Sequence, residues 1–216
     1  LNELYRPFVV VPVTAQANAD LASERLRGFE VGLDWQAVQA VVPSVTAFDN
    51  RMKNAIANVT IGPNLRRRAN LRAIEARGIE ASLAARVGTV SLDGALAWAD
   101  GEVRGEGPSA DLDGLRPAQT PEFAATLTLG WEPAPGWRVA GTLRHVSAPF
   151  EDDRETDRLP AATTLDAFLS APLTGKLSLI VRGENPTGER IVTRNQGGSL
   201  DLGTPRTGWI GLRYGF

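Results

Sequence analysis

The chain has 216 residues, 23 of them basic and 25 acidic, and its net charge of −2 gives no field that points to nucleic acid or to an anionic surface. It has no cysteine, which excludes a disulfide framework and a thiolate metal centre, and its single histidine, His145, excludes a multi-histidine metal site. No apolar run reaches the roughly 18–20 residues of a membrane-spanning helix.

The chain opens with Leu1-Asn2-Glu3-Leu4-Tyr5-Arg6, which contains neither an initiator methionine nor a signal segment; we expect it to begin inside a longer polypeptide. The first clear element follows at 27–36. There Phe29, Val31, Leu33 and Trp35 alternate with Gly28, Glu30, Gly32 and Asp34, which is the period of a strand with one apolar and one polar face. Strands are predicted next at 42–53, 71–86 and 89–103, the last carrying Leu92, Leu96 and Trp98 on one face. The series continues at 122–132 (Ala125, Leu127, Leu129, Trp131), 136–149, 161–172 and 176–184. It closes at 207–216 with Ile210, Leu212, Tyr214 and Phe216 opposed by Gly211, Arg213 and Gly215.

Short turns separate some of these strands: Arg86-Val87-Gly88-Thr89, Glu132-Pro133-Ala134-Pro135-Gly136 and Leu173-Thr174-Gly175-Lys176. Between them lie long polar loops: 104–121, the acidic 150–160, and 185–206. Short turns at one end and long loops at the other are the rhythm of a transmembrane antiparallel β-barrel. Runs of about ten residues suit a tilted spanning strand, and a sheet facing lipid has to close, because hydrocarbon offers its edges no hydrogen-bond partners. A soluble β-sandwich predicts alternation too, though usually with shorter strands. A small self-contained barrel, either a passive pore or a structural protein, would need a tenth strand. The stretch 8–14 is a poor one because Pro7 and Pro12 flank and interrupt it.

The aromatic residues fit a membrane. Trp35, Trp131, Trp137 and Phe216 fall near the short-turn end and Trp98 towards the other, all on the predicted apolar face, where interfacial belts form. The opposite face carries Glu30, Asp34, Glu80, Arg86, Asp93, Arg138, Arg144, Asp166, Arg182 and Arg213. These charges belong in an aqueous interior, since an arginine at the bilayer midplane costs about 2–4 kcal/mol.

Leu1-Asn2-Glu3-Leu4-Tyr5-Arg6-Pro7-Phe8, the stretch from Ala17 to Arg25 (similar to "NPDLKPE", with Pro and Lys replaced) and Gly28-Phe29-Glu30-Val31-Gly32-Leu33 resemble, in order, consecutive segments of the TonB-dependent outer-membrane receptors. So do Thr46 to Ile56, Ala76-Arg77-Gly78-Ile79-Glu80, and Val181 to Arg190, which is similar to "RVENLFDERY" without its aromatic pair. The last segment, Arg206 to Phe216, looks like the family's final strand. The resemblance implies an all-β fold, about the last nine strands of a barrel of about 22, without the N-terminal plug. It implies a bacterial outer-membrane location and the uptake of a scarce nutrient: a ferric siderophore most often, cobalamin or an oligosaccharide otherwise. Partners would be outer-membrane lipid and lipopolysaccharide, the barrel-assembly machinery, and TonB only through a plug that has no counterpart in residues 1–216. No cofactor, nucleic acid partner or enzymatic chemistry is implied.

Three groups stand out as candidate sites. Leu212, Tyr214 and Phe216 resemble the terminal signal read by the assembly machinery, and equally serve as lipid-facing residues of a last strand. Trp35, Trp98, Trp131 and Trp137 would form the interface belt. Arg66, Arg67 and Arg68, the densest basic cluster, fall on the long-loop side, where they would attract an anionic chelate or simply remain solvated. Asp152, Asp153, Glu155 and Asp157 lack the glycine and terminal glutamate of a calcium loop and read as a solvated acidic loop.

Overall fold

A computed structural model describes residues 2–36, 38, 40–196 and 198–215. After one helical turn (Asn2–Tyr5) the chain forms a small hairpin, β1 (Phe8–Val10) and β2 (Val13–Gln16), and then enters a long strand, β3 (Arg25–Asp34), followed by β4 (Val41–Lys53). A second hairpin, β5 (Ile56–Gly62) and β6 (Leu65–Asn70), leads into β7 (Ala73–Val87) and β8 (Val90–Arg104). Beyond a 3-10 helix at Gly107–Leu112 come β9 (Phe123–Trp131), β10 (Arg138–Val146), β11 (Ala162–Pro172) and β12 (Leu177–Glu184). A third hairpin, β13 (Val192–Gln196) and β14 (Ser199–Leu202), precedes the last strand, β15 (Thr207–Tyr214).

Nine of these strands make one antiparallel sheet in the order β15-β12-β11-β10-β9-β8-β7-β4-β3. They coincide, within three residues at each end, with the nine strands expected from the alternation. The sheet is open among the described residues, because β3 and β15 are its two unpaired edges. The 8–14 stretch supplies no tenth wall strand. It folds back on itself around Val11-Pro12, pairing Phe8 with Ala15, and β2 runs alongside β6 in a separate four-stranded sheet, β1-β2-β6-β5. A closed barrel made from this chain alone is therefore not what the structure shows.

The two faces of the wall separate by register. Val90 and Val139 stand opposite Trp131, Leu92 and Gly141 opposite Leu129, and Trp98 opposite Phe123, all on the apolar face. Asp93 stands opposite Thr128 and Arg144 opposite Thr126 on the polar face. There the Thr128 and Thr142 hydroxyls lie 2.9 Å apart, Arg144 pairs with Asp166, and Arg182 Nη2 reaches Glu184 at 2.5 Å. Where Gly78 leaves a gap on this face, the Phe48 ring lies so close that an added Cβ would come within 2.5 Å of it. Trp209 also faces this side, with the Arg182 guanidinium 5.6 Å from its ring centre.

All short connections lie at one end of the wall, among them the two-residue turn between β7 and β8, where Gly88 takes φ +58° as a tight hairpin requires. All long loops lie at the other. The long loops are not loose, because they hold the molecule's buried apolar cluster. Ala55, Val59, Leu71 and Leu112 pack with Val103 from the polar face of β8, against Met52 and Ile74.

Candidate functional site

The loop end forms a roof over the polar face of the wall, and beneath it lies a cavity of about 520 Å³. Its floor is apolar, from Leu71, Ile74, Val103 and Leu112. Its rim carries the guanidinium groups of Arg66, Arg116 and Arg194 together with Glu151 and Asp153.

The three consecutive arginines sit in β6, a strand that the sequence reading took for loop. Strand alternation turns Arg67 away from its neighbours: Arg66 and Arg68 are half-buried, Arg67 is exposed, and only Arg66 lines the cavity. Arg116 and Arg194, which come from distant loops, complete the basic rim. Arg116 is held by Glu122 at 2.6 Å, and its backbone N–H donates to Glu155 Oε1 at 2.8 Å. Arg194 lies 3.6 Å from Asp201.

The acidic 150–160 loop is a clamp, contrary to the expectation of a solvated stretch. Asp153 accepts hydrogen bonds from the Thr60 N–H (2.8 Å) and hydroxyl (2.6 Å), and Arg154 Nη2 donates to the Thr60 carbonyl at 2.9 Å, which locks the loop to β5. Asn195 Nδ2 donates to Asp157 at 2.7 Å, tying in the β13–β14 hairpin. Asp152 shapes the loop itself. Burial pushes its carboxyl up, but the N–H groups of Arg154, Thr156 and Asp157 and the Thr156 hydroxyl outweigh this and hold it below the usual range.

Glu151 is the exception among these acids, being only 3% exposed. Burial raises its pKa, opposed by the Gln119 amide, which donates to both carboxylate oxygens at 3.2 Å, by an Asn195 backbone bond and by the nearby Arg66 and Arg194 charges. Asn185 closes the last long loop. At φ +47° its side chain bonds the Glu189 carbonyl (2.8 Å), the Thr204 carbonyl (3.0 Å) and the Glu189 N–H (2.8 Å). The sequence reading missed Glu151, Arg116, Arg194 and Gln119 as a group, because no local pattern joins Arg116 and Gln119 to Glu151, 32 positions beyond Gln119, or to Arg194.

The other expected sites are dispersed. Trp131 and Trp137 lie at the short-turn end, 49% and 40% exposed, and Trp35 follows β3 at the same end. Trp98 lies towards the loop end of the same face. His145 joins Trp98 there, with Nδ1 2.8 Å from the Thr163 hydroxyl and its ring tilted against Phe123. Leu212 and Tyr214 project from the apolar face of β15, while Phe216 lies outside the described residues. Among the described residues no group of three or more histidine or acidic side chains could hold a metal.

No curated protein matches the chain. Solved structures do. The chain is similar to the ferric yersiniabactin uptake receptor FyuA from Yersinia pestis at 19% identity and a TM-score of 0.75, covering 89% of this chain and 30% of that one. It is similar to the siderophore receptor PiuA from Acinetobacter baumannii at 16% identity and a TM-score of 0.74, covering 88% and 28%. It is similar to the copper transporter OprC at 15% identity and a TM-score of 0.74, covering 99% and 35%. The chain thus spans about a third or less of the length of these receptors. The family described as "TonB dependent receptor-like, beta-barrel" matches residues 1–185. With that match laid over a nine-stranded antiparallel wall with all its long loops at one end, the chain belongs to the TonB-dependent receptor β-barrel family of the bacterial outer membrane.

Proposed function

We propose that the chain is the C-terminal barrel portion of an active transporter that takes up an anionic metal chelate, most simply a ferric siderophore. The observation that carries this reading is the roofed cavity. An apolar floor with a rim of Arg66, Arg116 and Arg194, which outnumber Glu151 and Asp153 there, suits a chelate that is carboxylate- or catecholate-rich outside and partly aromatic or aliphatic within. Arginine presents a fork that matches such oxygens, whereas a neutral ligand gains little from it. FyuA is named for ferric yersiniabactin uptake and PiuA as a siderophore receptor, which supports the class, and OprC is named as a copper transporter.

In this reading the chain does no covalent chemistry. The ligand is gathered from outside by the long loops, the polar wall face rests on a plug contributed by another part of the receptor, and TonB acts through that plug. Trp35, Trp131 and Trp137 lie at the periplasmic headgroup level and Trp98 at the outer one, where an indole can bury its ring and keep its N–H hydrated. The free edge of β15, with Leu212 and Tyr214, offers a strand to the assembly machinery, the signal being completed by Phe216, which lies outside the described residues.

The test is equilibrium binding of a panel of ferric siderophores and of cobalamin to the full-length receptor, compared with Arg66→Ala and Arg116→Ala. Anionic chelates should bind at least about ten-fold more weakly to the variants, as expected for loss of a charge-assisted contact. Unchanged chelate affinity, or tighter binding of the neutral ligand than of any chelate, would refute the reading.

A further inference from the structure

The three rim arginines reach the cavity from three separate elements: Arg66 from β6, Arg116 from the segment after the 3-10 helix, and Arg194 from β13. A guanidinium carried on a loose loop gives up rotamer and backbone freedom each time it binds, and that loss is subtracted from affinity. One segment ties down all three carriers. It is the acidic 150–160 loop, and it does so one acid to one arginine.

Asp153 accepts from the N–H and the hydroxyl of Thr60, the residue that stands directly opposite Arg66 across β5 and β6. Arg154 secures the same point by donating to the Thr60 carbonyl. Glu155 accepts from the backbone N–H of Arg116 itself. Asp157 accepts from the side-chain amide of Asn195, the residue next to Arg194. Each of these bonds goes to the backbone or the neighbour of a rim arginine, and none goes to its guanidinium. Glu122 and Asp201 do approach the Arg116 and Arg194 side chains, but a guanidinium has five N–H donors and keeps others for a ligand. The loop holds its own form through Asp152, which gathers the N–H groups of Arg154, Thr156 and Asp157.

We propose that Asp153, Glu155 and Asp157 are the positioning residues of Arg66, Arg116 and Arg194 respectively, so that the cavity's affinity for an anion depends on three carboxylates that do not recognise it. The inference rests on the reading of the cavity as a site for an anionic chelate. Its sign separates it from simple electrostatics. Removing a carboxylate from beside a basic rim strengthens the pull on an anion, whereas removing a contact that pre-sets an arginine weakens binding by the freedom returned to that side chain.

The experiment measures equilibrium binding of a ferric tris-catecholate, the anionic probe, to the full-length receptor in detergent, with heat-modifiable gel mobility showing that each variant is folded. Asp153→Ala should bind it roughly two- to ten-fold more weakly. Asp153→Asn, equally uncharged but still able to accept from Thr60, should fall between Asp153→Ala and the parent. In an Arg66→Ala background Asp153→Ala should cost no further affinity, and in an Arg194→Ala background it should cost as much as in the parent. Asp157→Ala should show the reverse pattern. A second measurement needs no ligand: hydrogen exchange should rise in 56–70 for Asp153→Ala, in 113–121 for Glu155→Ala and in 192–196 for Asp157→Ala. A parent that binds no chelate would sink the transport reading alone, and the exchange pattern would still decide the pairing. Tighter binding by Asp153→Ala, an equal loss in every arginine background, or exchange rising over all three segments in each variant would overturn the proposal.

Discussion

The wall and the roof bury opposite things. In the wall the large apolar side chains are the exposed ones, with Leu33, Leu129 and Ile210 at 64%, 54% and 80% exposure. In the roof, Ala55, Val59, Leu71 and Leu112 are 1–3% exposed around Val103. The wall has almost no core of its own because its apolar face is completed by lipid, while the polar face keeps its charges in ion pairs such as Arg144–Asp166. The roof stands in water and has to build a small protein-like core, with clamps such as Asp153 on Thr60, to hold its cavity open. One chain therefore folds against two solvents, and the difference can be tested region by region.

The largest effect should come from the roof core. Leu71→Ala leaves a cavity at a site 2% exposed and should cost about 2–5 kcal/mol locally. Limited proteolysis should then cut the 54–72 and 105–122 loops much faster, while the wall keeps its heat-modifiable migration. If the wall fails together with the roof, the two are one cooperative unit. Next comes a charge on the wall. Leu127→Arg places a guanidinium on the apolar face at mid-strand and should destabilise the folded barrel by about 2–4 kcal/mol, read by urea titration in detergent or lipid. Ala84→Arg, on the polar face opposite Asp93, should change stability little. Equal penalties at the two positions would dissolve the distinction between the faces.

The smallest expected effect is a pH dependence confined to the roof. The folded pKa of Glu151 lies above its ordinary value of 4.5, so the folded state holds the proton more tightly than the unfolded one. Its penalty is absent below about pH 4 and grows as pH rises through the elevated folded value. Asp152 acts in the opposite sense: held below 3.8, it stabilises above that value, and its contribution is lost on acidification. Opening of the roof amides, read as hydrogen exchange corrected for its intrinsic base-catalysed rate, should therefore rise slightly between mildly acidic and neutral pH in the parent. Glu151→Gln should remove that rise, and an unchanged profile in the variant would assign the effect elsewhere.

The wall was legible because each strand repeats the same instruction every second residue. From Phe29 to Trp35, Ala125 to Trp131 and Ile210 to Tyr214, the alternation persists whatever the neighbours are, since lipid on one side and water on the other impose it on every strand alike. The roof was not legible. β5 and β6 show no alternation, their burial being mixed along both strands, because their surroundings are other loops rather than a uniform solvent. Arg66 to Arg68 looked like one basic cluster but contributes a single residue to the cavity: the strand turns Arg67 to the opposite side, and Arg68, two residues along on Arg66's side, lies outside the lining. Pro7 and Pro12 mark the N-terminal stretch as a poor wall strand, and it is none, but its use as a hairpin beside β6 depends on a partner 51 residues away.

Amino-acid order by itself determined the nine spanning strands, their two faces, the end that carries the long loops and the family to which they belong. The strands, their faces and the loop end follow from local periodicity and turn chemistry; the family follows from the resemblance of segments such as Leu1 to Phe8 and Gly28 to Leu33 and from the match over residues 1–185. Tertiary structure alone decided the roof. The Thr60–Asp153 bond spans 93 residues, the Gln119–Glu151 contact spans 32, and the rim unites Arg66, Arg116 and Arg194 from three separate loops. Contacts of that kind leave no periodic trace, because each depends on where the wall strands deliver the loop ends rather than on any neighbour in the chain.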